Sequence, residues 1–176
     1  LNSNKNAIAQ KRELTEVKDA ADSLYEAAGK LTDTSTSKSL FKKADKVTND
    51  ITSAVKDYVK NYNSLIEEAA DTTNSKVTGK VSFMTGQANA YKSSLENVGI
   101  TINSDKTLSV DEDTFKKSDI SDVKKLFNGS GSMAYQTFVR ASDISSAAEN
   151  ASTSVTSYGA DGMYNNYYNS AYNWYL

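Results

Sequence analysis

Residues 14–31 read LTEVKDAADSLYEAAGKL, and their apolar positions Leu14, Val17, Ala21, Leu24, Ala28 and Leu31 step by 3, 4, 3, 4 and 3. That spacing returns side chains to one face of an α-helix, with small residues at alternate layers, as in a coiled-coil seam. The same rhythm continues outward along the chain. Thr32 to Ser39 (TDTSTSKS) is a polar break that offers N-cap residues. A second stripe follows at Leu40, Ala44, Val47, Ile51, Val55, Tyr58, Tyr62, Leu65 and Ala69, with one irregular 4-4 step around Ile51, expected to loosen a supercoil locally. After Asp71 to Ser75 a third stripe runs through Val77, Val81, Met84, Ala88, Tyr91, Leu95 and Val98. As one helix it would be about 33 Å long. These three segments predict a body of three antiparallel helices whose stripes bury one another.

Beyond Val98 the period shortens to 2. Gly99 is expected to end the helix, and Ile100 and Ile102 pair with Leu108 and Val110 across a turn at Asn103 to Lys106. Such a hairpin is marginal alone and has to lie on the helices. Asp111 to Phe127 reads as two short helices burying Phe115, Ile120, Val123, Leu126 and Phe127, the second capped by Asp119 or Ser121. Asn128-Gly129-Ser130-Gly131 stops them. Residues 132–157 are helix-compatible, with a seam of mostly small residues (Ala134, Phe138, Ala141, Ala148, Val155) that predicts little burial and a shallow groove. The fold class is therefore mainly α: an antiparallel helical bundle with coiled-coil-like seams over 1–157, carrying one small β-hairpin near 100–110, inserted at about 99–111.

Residues 158–176 (YGADGMYNNYYNSAYNWYL) differ in composition, with six of the eleven Tyr, the only Trp and one charge, Asp161. Rings with polar handles favour interfaces. Tyr164, Tyr167, Tyr168, Tyr172, Trp174 and Tyr175 are accordingly the expected interaction residues of a docking tail, placed on the bundle of the same chain or on another chain.

The chain has no Cys, His or Pro, which excludes disulfides, Cys or His metal sites and His-dependent nucleophile pairs. Lys and Arg number 20 against 22 Asp and Glu, so no clustered positive excess exists for nucleic acid. No run reaches the roughly 20 apolar residues of a membrane span. The alternating oxygens of Asn103, Asp105, Thr107, Ser109, Asp111 and Asp113 look superficially like a calcium loop. Leu108 stands where such a loop needs Gly and Thr114 where it needs Glu, so an exposed hairpin face leading into an acidic helix start is expected instead. No catalytic, cofactor-binding or metal-binding residues and no small-molecule substrate are expected. The first residue, Leu1, is what a processed or partial chain would show.

Three blocks between about residues 51 and 131 resemble one family. Val59-Lys60-Asn61-Tyr62-Asn63-Ser64-Leu65-Ile66 is similar to the helix motif F-V-x-x-Y-N-x-L of the bacterial flagellar filament cap protein, hook-associated protein 2. Leu95 to Thr101, with Asp105 to Asp113 and Phe115, resembles its L-G-I-T-x-D-G-T-L-x-x-D stretch, and Asp122 to Gly129 its D-x-V-x-x-L-F-x-G. The family's large inserted β-rich domains have no counterpart here. The resemblance implies a reduced relative: an exported structural protein, secreted or at the cell surface, that packs against like subunits or other axial proteins and has no catalytic residues. The absence of Cys and Pro is compatible with passage of an unfolded chain through an export channel. A cytoplasmic helical binding module, such as an export chaperone or adaptor, is the alternative expectation.

Overall fold

The computed structural model describes residues 2–35 and 37–157. It is mainly helical, with helices packed on one another and one two-stranded antiparallel sheet: α1 (Asn2–Thr32), α2 (Asn49–Asp71), α3 (Ser75–Ala88), α4 (Lys92–Asn97), β1 (Ile100–Ile102), β2 (Leu108–Val110), α5 (Glu112–Lys117), α6 (Ile120–Phe127) and α7 (Met133–Ser157). Their apolar faces join in one hydrophobic cluster.

The α1 stripe is buried as its spacing predicts, from Leu14 to Leu31. The helix it packs against most is α7, whose small-residue seam predicts little burial. The two helices are antiparallel: Phe138 lies against Gly29, and seven residues onward Ser145 donates to Asp22, seven residues back on α1. Ala134, Ala141, Ile144 and Ala148 are fully buried, so the small-residue seam encloses more than expected. Short side chains let the helix axes approach closely, and close approach excludes water even though each residue buries little area.

Two further expectations are corrected. The second helix starts at Asn49, not Leu40, because Thr48 takes the N-cap and its hydroxyl accepts from the Ile51 amide at 3.2 Å. The irregular step around Ile51 thus marks the helix start. Before it the chain is a turn-rich loop that buries Phe41, while Leu40, Ala44 and Val47 are only half-covered. The third stripe is not one helix either. α3 gives way to a 3₁₀ turn over Asn89–Tyr91 before α4. That tightening sends α4 toward β1 and α6, and Tyr91 accepts a 2.6 Å hydrogen bond from Gln136 on α7.

The hairpin forms where the period changed, in the register Ile100↔Val110, Thr101↔Ser109 and Ile102↔Leu108. Gly99 precedes it at φ 78°, and a Cβ there would sit 2.8 Å from the Thr114 Cβ. α5 and α6 are the two short helices expected, capped by Asp111 and Asp119. Among the described residues no helix is long and apolar enough to cross a membrane.

Candidate interaction surfaces

Asn63, on α2, latches the hairpin. Its amide nitrogen donates to the Leu108 carbonyl at 2.9 Å and its oxygen accepts the Leu108 N–H at 2.7 Å, so one side chain supplies the pairing a third strand would give. Around it Tyr58, Tyr62, Phe115 and Phe127 form a buried ring cluster, with Tyr58 edge-on to Phe127 at 5.7 Å and Phe127 edge-on to Phe115 at 6.4 Å. Burial pushes both tyrosine hydroxyls well above the ordinary phenol range. Tyr58 shares a 2.8 Å hydrogen bond with Thr137.

The three blocks quoted above meet in space at this cluster. Asn128, from the third block, donates to the Leu31 carbonyl at 2.8 Å and so satisfies the C-terminal end of α1. Lys124 donates to the Ala44 carbonyl at 2.9 Å and ties down the loop before α2. Glu112, at the start of α5, accepts from Lys116 at 2.7 Å and from Lys56 of α2 at 2.6 Å; these bonds hold its carboxyl down to about 2.

The oxygen-rich hairpin face is occupied with itself. Asp105 accepts from the Thr107 N–H and hydroxyl, and Asp111 from the Thr114 N–H and hydroxyl. These bonds hold both carboxyls below the usual carboxylate range. Asn103 bonds Thr107 and Ser109. Among the described residues no cluster of three or more Asp or Glu is placed to hold a metal ion.

Among the described residues, exposed aromatic side chains and a trough stand open. On the outside of the α1–α7 pair, Tyr25 stacks on Phe138 with ring centres 4.1 Å apart, and Phe138 stacks on Tyr135 at 6.1 Å. Tyr25, Tyr135 and neighbouring Val139 are exposed, and Phe138 is half-covered rather than a core seam residue. Gly29 makes this possible, since a Cβ there would press on the Phe138 ring at 3.3 Å. On α3, Phe83 is 54% exposed beneath the Arg140 guanidinium, 4.7 Å from the ring centre. Tyr25, Tyr135 and Phe83 lie between stripe positions, so apolar periodicity does not single them out; aromatics at off-stripe positions are the signal in the sequence.

The second surface is an open trough of about 820 Å³ at the end of the bundle, lined by Ala7 and Gln10 of α1, by Ala147, Ala151 and Val155 with Ser146, Asn150 and Ser154 of α7, and by Lys76 and Lys80 of α3. The groove expected on the α7 seam thus opens only at the seam's end, at Val155, and along the adjoining Ala147 and Ala151, since Ala134, Ala141 and Ala148 are buried. Tyr164, Tyr167, Tyr168, Tyr172, Trp174 and Tyr175 lie outside the described residues. The chain matches no protein-family model, no curated protein and no solved structure with significance.

Proposed function

We propose that the protein is a non-enzymatic structural subunit that works by helix packing and self-association, exported to the cell surface or medium in the manner of a reduced flagellar cap or flagellin-type axial protein. The observation that carries this reading is the exposed row Tyr25–Phe138–Tyr135 with Val139, set on the longest helix pair. Stacked rings are rigid and amphipathic, and they lose little conformational freedom when a like surface covers them. The convergence of the three resemblance blocks on one buried cluster supports the same reading, because it gives each block a packing role and leaves the α1–α7 face for contacts between subunits.

Sedimentation of the full chain over a wide concentration range tests it. Reversible association is expected, weakened by Tyr25→Ser with Val139→Asp, both at exposed positions. A chain that stays monomeric at high concentration overturns the assembly reading. Fractionation of native cells tests the export reading: retention of the protein in the cytoplasm would favour the chaperone or adaptor class instead.

A further inference from the structure

We propose that residues 158–176 of the same chain occupy the trough at the end of the bundle. Beside the start of α3, α1 and α7 do not close fully on one another. Ala151 and Val155, at the edge of the core, line an open cleft there together with Ala7, Gln10, Asn150 and Ser154. The α1–α7 register sets Gln10 level with Ser157, so Ile8, 71% exposed, lies beside the point where the chain leaves α7. Ser154 and Val155 themselves line the trough, and the tail therefore starts at its mouth.

Reach and chemistry both fit this occupant. Nineteen extended residues span up to about 60 Å. The trough continues past Lys76, Lys80 and Asp143 to a second pocket of about 270 Å³ beside Phe83 and Arg140, only about 26 Å back along α7. Its lining mixes small apolar side chains with Ser146, Asn150 and Ser154, a surface suited to rings that carry a polar handle, and the tail brings six Tyr and one Trp. The tail's single charge is Asp161, four residues beyond Ser157. Lys76 and Lys80, on the adjacent wall, form no ion pair with any described residue. Direct attachment to α7 gives the tail an effective concentration in the millimolar range, which favours its own trough over that of a second copy in dilute solution. This inference stands on the trough and the tail alone and does not require the assembly reading.

The chain contains no Cys and one Trp, so two clean probes exist. In Ala151→Cys with Tyr167→Cys, mild oxidation of dilute protein should give a crosslink within one chain. Trp174 in the unaltered chain should emit at a blue-shifted wavelength and resist acrylamide quenching. Lys76→Glu with Lys80→Glu, both at exposed positions, should shift that emission to the red without changing the helical circular dichroism, and adding Asp161→Lys should restore it. Solvent-like Trp174 emission in the unaltered chain, or crosslinks found only between chains, overturns the proposal.

Discussion

Asn63 holds Leu108 by both atoms of its side-chain amide, so a helix residue closes the backbone hydrogen bonds of a strand residue. Asn63→Ala should cost about 2 kcal/mol, roughly 1 for each bond lost at a half-buried site. Asn63→Asp should fare little better, because a carboxylate can accept the Leu108 N–H but would face the Leu108 carbonyl with no proton to donate. Urea unfolding gives the energies. Amide exchange at Leu108 should quicken in both variants, and an unchanged rate would mean the latch does not hold the hairpin.

Tyr58 and Tyr62 lie one helical turn apart in the same core but should respond oppositely to losing their hydroxyls. Tyr58→Phe strands the buried Thr137 hydroxyl and should destabilise by about 1 kcal/mol or more. The Tyr62 hydroxyl is buried and meets no partner among the described residues, so Tyr62→Phe should stabilise by about 1 kcal/mol. Thermal unfolding of the two variants decides, and equal losses would contradict the hydrogen-bond assignment.

Among the described residues two glycines adopt the left-handed conformation, Gly99 at φ 78° and Gly129 at φ 83°. An alanine at either is strained by about 1 to 2 kcal/mol. Only Gly99 also faces an obstacle, the Thr114 side chain, whereas a Cβ at Gly129 would meet nothing within 4 Å. Gly99→Ala should therefore be the more damaging by equilibrium unfolding, and Gly99→Ala with Thr114→Ser should recover part of the difference.

Glu112 titrates from a carboxyl held at about 2 by its hydrogen bonds to Lys116 and Lys56. A folded value below the ordinary 4.5 means that its contribution to stability is present above pH 4.5 and is lost as pH falls toward 2. The site is exposed, so salt should weaken the effect. Carboxyl carbon NMR should place the midpoint near 2 at low salt, moving upward with added salt and in Lys56→Ala. A midpoint near 4.5 under all conditions would show that the two lysines do not hold it.

Periodicity alone determined the helical class, the position of the hairpin, the two short helices after it and most of the core, because burial on one face of a helix or strand repeats at a spacing the chain displays directly. Leu14 to Leu31 and Ile100 to Val110 are legible for that reason. Which helices face each other is a different kind of information. Ala134, Ala141 and Ala148 by their size predict little burial, and only the tertiary structure shows that their smallness brings α7 onto α1. The break at Asn89–Tyr91 likewise follows from where α4 has to go, toward β1 and α6, and leaves no irregularity in the apolar stripe from Val77 to Val98. The exposed stack of Tyr25, Phe138 and Tyr135 joins two helices more than a hundred residues apart in sequence. A stripe counts side chains along one helix, and a surface shared by two depends on their register, which packing alone sets.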